Sequence, residues 1–212
     1  PPTFGTDPKQ IVGVISGGHE TLILSREGVE DQAEQAVEDL KQHALSDSDM
    51  VIGVAASVRT PYTREGLVYA RSLGCKTAFL ICNEAVDLAP EVDILIVLPV
   101  GPEVITGSTR MKAGTACKMA LNMISTAAMV LLGKTMGNLM VDLKATSEKL
   151  TARSRRMLID LLGINQIEAE SLLQKARGSV KLAIVMYRLG CDRETAVAKL
   201  AAADGFVRRV LR

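Results

Sequence analysis

Residues 50–56 are Met-Val-Ile-Gly-Val-Ala-Ala, a near-continuous apolar run. Such a run is typical of a parallel strand that is buried on both faces of a sheet. It is followed by the turn residues 57–61, a helical pattern over 62–73 that stops at Gly74, and a second apolar run over 76–82. A strand, a helix and a strand at these spacings predict a βαβ unit with parallel strands.

The same alternation extends along the chain on both sides of this unit. Residues 11–15 predict a strand that ends at a pair of glycines, and residues 27–45 predict an amphipathic helix with carboxylates in its first turns. A further strand is predicted over 94–98 and a long helix over 109–132. This helix is apolar on nearly every side, so its middle is expected to be buried under the sheet or against another subunit. The pattern predicts an α/β fold in which helices sandwich a parallel sheet.

The pattern changes towards the C-terminus. A short strand is predicted over 139–143, and no strand signal follows residue 146. We therefore expect two domains, 1–145 with the sheet and 146–212 with a small helical bundle. The helical patterns, separated by Gly163, Gly178 and Gly190, cover 151–162, 167–177, 179–189 and 192–211.

Composition excludes several classes of protein. The formal net charge is +1 and aromatic residues make up 3% without any Trp, which argues against nucleic acid as a partner. The four cysteines form no CxxC pair and have no nearby His, so we expect no metal and reduced thiols in a cytoplasmic protein. The longest apolar stretch, 119–132, is too short for a membrane span, and the chain does not open on a signal-peptide pattern.

The turn after the first apolar run is a candidate anion site. Thr60 is a plausible helix N-cap before Pro61, and Ser57 and Arg59 stand beside it. Backbone N–H groups, hydroxyls and a guanidinium together suit a phosphate monoester. In the alternative interpretation, Ser57 and Thr60 only stabilise the turn and Arg59 points to water.

A second candidate segment, 107–114, is Gly-Ser-Thr-Arg-Met-Lys-Ala-Gly. It predicts two cations, Arg110 and Lys112, in the first turn of the long helix, with the hydroxyls of Ser108 and Thr109 beside them. Cations there oppose the helix dipole, so an anionic ligand or a partner's carboxylate is expected to balance them.

A third candidate is the acidic segment 27–31, which contains Glu30. A run of charges at a helix start is usually a solvated face. A carboxylate that faced a cleft there would instead serve as a general base.

Six motifs stand out along the chain, at residues 1–5, 17–18, 26–31, 54–62, 101–115 and 137–142. Together they resemble the N-acetylmuramic acid 6-phosphate etherases, over most of residues 1–145, and the helical tail resembles that family's small C-terminal domain. Related motifs occur in glucokinase regulatory proteins, which bind sugar phosphates without converting them.

This resemblance implies a sugar isomerase (SIS) fold, a homodimer, and release of D-lactate from the C3 ether of N-acetylmuramic acid 6-phosphate. The product is N-acetylglucosamine 6-phosphate, and no cofactor or metal takes part. By position, Glu30 matches a catalytic glutamate that removes the C2 proton. Ser57, Arg59 and Thr60 match one substrate loop, and the segment from Ser108 to Lys112 matches the other.

Two departures from the family pattern lead us to expect impaired turnover. The family's first phosphate loop and a second catalytic glutamate match positions upstream of Pro1. Val58 stands where the family usually has Gly, and a β-branched residue disfavours positive φ and adds bulk near the sugar. The alternative function is therefore a non-catalytic sugar-phosphate sensor or regulator.

Overall fold

The computed structural model describes residues 3–143 and 147–212. The chain forms two compact units. The sheet unit is Gly13–Met123, and the helical unit is Ile124–Arg212 with the segment that ends at Val12. The domain boundary expected at 145/146 falls outside the described residues and stays a prediction.

The sheet unit is built on three parallel strands, in the order β1 (Met50–Ala55), β2 (Lys76–Ile81) and β3 (Ile94–Val97). β2 is the central strand, and every residue after Lys76 is buried. These strands match the apolar runs in the sequence to within one residue. The α/β class with a parallel sheet flanked by helices is thereby confirmed.

The helix α2 (Pro61–Ser72) packs closely on β1 at Gly53. A Cβ atom on Gly53 would lie 2.7 Å from Leu67 Cδ1 and 2.8 Å from Thr63 Cγ2. Since the strand and the helix approach this closely, the short turn between them has little freedom. The start of α2 is thereby fixed at the end of β1.

The strand predicted near the N-terminus was wrong. Residues 11–15 form no strand and are exposed. β-Propensity alone does not make a strand without backbone hydrogen bonds to a neighbour. Val14 and Ile15 instead line a cavity of about 230 Å³ with residues of β1 and α2.

The helix predicted over 27–45 is shorter than expected and is interrupted. A 3-10 turn over Val29–Asp31 follows Gly28, which has a left-handed φ of 79°. Gln32, with ψ of 85°, then breaks the helical path before α1 (Ala33–Lys41). α1 packs on α2 through Ala36 and Leu40, which lie beside Gly66.

The long helix α3 (Lys112–Leu131) begins three residues later than predicted. Its middle is not buried within the chain, since only 11% of its most apolar 18-residue window is buried and Met119 and Met123 are exposed. By length and composition alone α3 is long and apolar enough to cross a membrane. A helix whose apolar face is covered by another protein chain passes the same test.

In the helical unit, α3 is followed by a hairpin of β4 (Thr135–Met136) and β5 (Leu139–Met140). The strand predicted over 139–143 is thereby shortened to two residues. Positive φ angles at Asp204 and Gly205 break the helix predicted over 192–211 into two. The other three predicted helices formed, with stops at Gly163 and Gly190. After the hairpin, residues 147–212 form the helices α4 (Glu148–Leu162), α5 (Gln166–Lys175), α6 (Val180–Leu189), α7 (Arg193–Ala202) and α8 (Val207–Val210).

An ion triad joins the hairpin to the core of the helical unit. Lys181 of α6 is 10% exposed, and its Nζ lies 2.8 Å from Asp142 Oδ2. Lys134 Nζ lies 2.9 Å from the same oxygen. One carboxylate therefore neutralises two ammonium groups, of which one is almost fully removed from water. Losing that carboxylate leaves two like charges without a partner.

We expect Asp142→Asn to lower the free energy of unfolding by about 2 kcal/mol, because it leaves the buried Lys181 uncompensated. The matched control is Asp204→Asn, which removes an exposed pair of similar length with Arg209, 2.6 Å. Exposed pairs contribute about 0–1 kcal/mol. Urea unfolding at neutral pH measures both variants, and equal losses for the two would contradict a structural role for the triad.

Candidate functional site

The carboxyl ends of the three strands place the two candidate segments at one edge of the sheet. Cys82 follows β2, and its backbone N–H donates to the carbonyl of Ala56 after β1, 3.2 Å. The Cys82 thiol donates to the carbonyl of Ala113 in the first turn of α3, 3.8 Å. Ligands of open α/β sheets bind at this edge. Cys82 therefore bridges the ends of both candidate segments.

The Ser57–Thr60 turn uses its hydroxyls locally. Ser57 Oγ accepts from the Arg59 N–H, 3.2 Å, and Thr60 Oγ1 donates to the Ser57 carbonyl, 3.3 Å. Thr60 is the N-cap of α2, as predicted, but its side chain makes no capping hydrogen bond. Arg59 is exposed, and its guanidinium makes no hydrogen bond or ion pair with any described residue. The turn thus combines internally bonded hydroxyls with an uncommitted cation at a helix start.

Val58 stands in the turn, but its side chain does not face the edge of the sheet where a sugar was expected. Its side chain is 0% exposed and packs in the core with Leu67, Phe79 and Ile81. Its φ is not among the positive values found at non-glycine residues. The expected backbone strain and the expected bulk near the sugar are therefore wrong, since the φ of Val58 is not positive and its side chain faces the core.

Glu103 supplies the anion that was expected from a ligand or a partner at the start of α3. Its two carboxylate oxygens accept the backbone N–H groups of Lys112, 3.1 Å, and Ala113, 3.0 Å. These hydrogen bonds lower the pKa of Glu103. Lys112 Nζ donates to the carbonyl of Pro102, 2.8 Å. The helix start is thus neutralised within the chain, a role that the sequence analysis did not assign to Glu103.

The four predicted residues of this segment differ in what they contact. Thr109 and Arg110 precede α3 and are exposed, so only Lys112 of the two cations lies in its first turn. Ser108 is half-buried, with its N–H bonded to the Ile105 carbonyl, 3.1 Å. The Arg110 guanidinium has no partner among residues 3–143 and 147–212. Arg110 is therefore the available cation, whereas Lys112 is engaged by the backbone.

We expect Glu103→Gln to lower the thermal midpoint of unfolding at pH 7 by a few degrees, because the helix start loses its negative charge. A lowered pKa means that the carboxylate stabilises the fold above its ordinary pKa, and that this contribution is lost as the pH falls through the lower folded-state value. The difference from the parent protein should therefore shrink in acid. Thermal unfolding from pH 7 to 3 measures it, with exposed Glu84→Gln as the control.

Glu30 lies on the 3-10 turn Val29–Asp31, which packs against α2. Its side chain is exposed. A neighbouring polar cavity of about 520 Å³ is lined by Gly17, Gly18, Arg26 and Glu27 among others, but not by Glu30. The 3-10 turn that carries Glu30 thus lies against α2, the helix that follows the Ser57–Thr60 turn. The Glu30 carboxylate itself is not enclosed.

Asp39 and Tyr62 form a polar contact beside this cavity that the sequence pattern did not indicate. The Tyr62 hydroxyl donates to Asp39 Oδ2, 2.6 Å, and Gln35 donates to the other oxygen, 2.8 Å. Burial and the Asp39 carboxylate raise the pKa of Tyr62. The two residues are 23 positions apart, so only the packing of α1 on α2 pairs them.

No group of three His, Cys, Asp or Glu able to hold a metal occurs in the described part of the chain.

The comparisons with known proteins identify the family of the chain. The family model of the glucokinase regulatory protein N-terminal SIS domain matches residues 3–71. Curated relatives named N-acetylmuramic acid 6-phosphate etherase align with all of this chain, at 51% identity in Rhodopirellula baltica, 50% in Cronobacter sakazakii and 47% in Alkaliphilus metalliredigens. The alignments cover 70%, 71% and 69% of those relatives, respectively.

The parallel sheet, together with the match to a SIS-domain model, indicates an α/β protein of the sugar isomerase class. Within that class, the chain belongs to the N-acetylmuramic acid 6-phosphate etherase family, since relatives at about half identity match it over its whole length.

Proposed function

We propose that the chain is an N-acetylmuramic acid 6-phosphate etherase, a carbon–oxygen lyase that releases D-lactate and leaves N-acetylglucosamine 6-phosphate. The observation that carries this proposal is 46–51% identity with etherases over the whole chain. The binding-only alternative gains no support from these relatives. Val58 supports the proposal too, because its φ is not positive and its side chain is buried in the core rather than near the sugar.

The reaction needs a base, an acid and an anchor for the phosphate, and no cofactor. In the open-chain sugar the C1 aldehyde acidifies the C2 proton, so a carboxylate removes it. The electron pair forms a C2–C3 double bond, and the C3–O bond breaks as lactate leaves with a proton. Water then adds at C3, and a proton returns to C2. We assign removal of the C2 proton to Glu30.

The phosphate anchor is assigned to the carboxyl edge of the sheet. Arg59 and Arg110 carry guanidinium groups that no described residue engages, which leaves them available to an anion. The backbone at the start of α2 and the hydroxyls of Ser57, Thr60, Ser108 and Thr109 complete the proposed cradle. Lys112 contributes positive charge from its position on the Pro102 carbonyl. Separately, we propose that the chain divides into a sheet domain, 1–145, and a helical domain, 146–212.

A homodimer is proposed on the apolar surface of α3. Met119 is 53% exposed and Met123 62% exposed, and exposed apolar residues that share one helix face are typical of an interaction surface. A second copy that covers α3 would satisfy the sequence expectation that the helix is buried. We also propose a cytoplasmic location, on the free state of all four cysteines. The degree to which turnover is impaired stays a prediction.

We expect Glu30→Gln to lower the rate at which the C2 proton of N-acetylglucosamine 6-phosphate exchanges with deuterium by about 100-fold or more, because an amide is not a base. Ligand affinity should stay within about tenfold of the parent value, since the base is not the anchor. Proton NMR in deuterated water measures exchange, and calorimetry measures affinity.

Glu34→Gln is the matched control, because Glu34 is an exposed acid in the first turn of α1. It should leave both quantities unchanged. D-lactate release from N-acetylmuramic acid 6-phosphate is measured in parallel by a coupled dehydrogenase assay. Binding of the sugar phosphate with neither exchange nor lactate release by the parent protein would favour the sensor function instead.

Arg59→Ala should have the opposite signature, a loss of sugar-phosphate affinity of about tenfold or more with exchange retained at saturating ligand. The control is Arg71→Ala. Arg71 lies at the far end of α2, and its guanidinium forms an ion pair with Glu91. Light scattering checks that each variant keeps the parent's oligomeric state. An unchanged affinity in Arg59→Ala would exclude Arg59 as the anchor.

A further inference from the structure

Two of the four cysteines lie side by side at the carboxyl edge of the sheet. Cys82 Sγ and Cys117 Sγ are 3.4 Å apart, although the residues are 35 positions apart in sequence. Cys82 follows β2 and is buried, and Cys117 lies in α3 and is half-buried. Both residues belong to the sheet unit. The proposed etherase reaction uses neither thiol.

We propose that Cys82 and Cys117 are an oxidisable pair that closes to an intrachain disulfide under a hydroperoxide and reopens under a thiol reductant. The Sγ atoms are already in contact, so closure requires a shift of little more than one ångström along their axis. Because α3 and β2 are separate elements, that shift is a small displacement of one against the other. The pair thus needs no unfolding to react.

The two sulfurs have different roles. Burial raises the pKa of Cys82 to about 12, so its thiol stays protonated at neutral pH. Cys117 is the more accessible sulfur, and it attacks first. Its thiolate displaces hydroxide from the peroxide and becomes a sulfenic acid. Cys82 then attacks that sulfur, and its proton leaves with the displaced hydroxide as water.

Hydrogen peroxide is the oxidant that balances the reaction. Two thiols and one hydrogen peroxide give one disulfide and two waters, so the sulfurs lose two electrons and the peroxide gains them. A thiol reductant such as dithiothreitol reverses the step by exchange. No group outside the pair and the oxidant takes part.

Closure would tie the end of β2 to the early turns of α3. The chain between the two cysteines holds β3, Glu103 and the segment from Ser108 to Lys112. A link across a loop of this length restricts the unfolded chain and stabilises the fold. We therefore expect the oxidised protein to unfold at a midpoint about 5 °C or more above that of the reduced protein. This inference does not rest on the etherase activity.

The test treats the fully reduced protein with stoichiometric hydrogen peroxide and follows it by intact mass, peptide mapping and thermal unfolding. We expect a mass loss of two hydrogens, one peptide pair joined through Cys82 and Cys117, and a higher midpoint that dithiothreitol reverses. Cys82→Ser and Cys117→Ser should each abolish all three changes. Cys191→Ser, at a half-buried cysteine of the helical unit, should abolish none.

Cys117→Ala is a second variant that keeps the test decisive if Cys82→Ser fails to fold. Gain of oxygen at Cys117 without a joined peptide would overturn the proposal. A disulfide between two chains on a non-reducing gel would overturn it as well. A joined pair with an unchanged midpoint would contradict the inferred stabilisation of the fold by the disulfide.

Discussion

The parallel pairing of β1 with β2 is the constraint on which the rest of the sheet unit depends. Parallel strands end at one edge, and the hydrogen bond from Cys82 to Ala56 continues their alignment past the strand ends. The close contact of α2 at Gly53 then fixes where the turn after β1 enters the helix. Because of these contacts, segments that are far apart in sequence share one edge.

Polar groups at that edge divide into those that hold the backbone and those left uncommitted. Glu103 and Lys112 hold the start of α3, and the Ser57 and Thr60 hydroxyls close their own turn. Arg59 and Arg110 remain unpaired within the described residues. A rigid loop that carries a free guanidinium suits anion binding, because little ordering is needed when the ligand arrives.

Most of the fold was predictable from local pattern. The apolar runs gave β1, β2 and β3 nearly to the residue, and glycines marked the ends of α4 and α6. The failures have a shared cause. A strand at 11–15 needs a hydrogen-bonding neighbour, and the interrupted helix over 27–45 depends on the conformation of Gly28 and Gln32, neither of which periodicity reveals.

The sequence by itself determined the α/β class, the order of the elements, and the residue types at the carboxyl edge of the sheet, because these depend on local hydropathy and on short motifs. Only the tertiary structure decided that Val58 faces the core, that Glu103 caps α3, and that Cys82 meets Cys117. Each of these depends on which distant segments are packed together, and a local pattern does not encode the distance between two strands or the direction of a side chain.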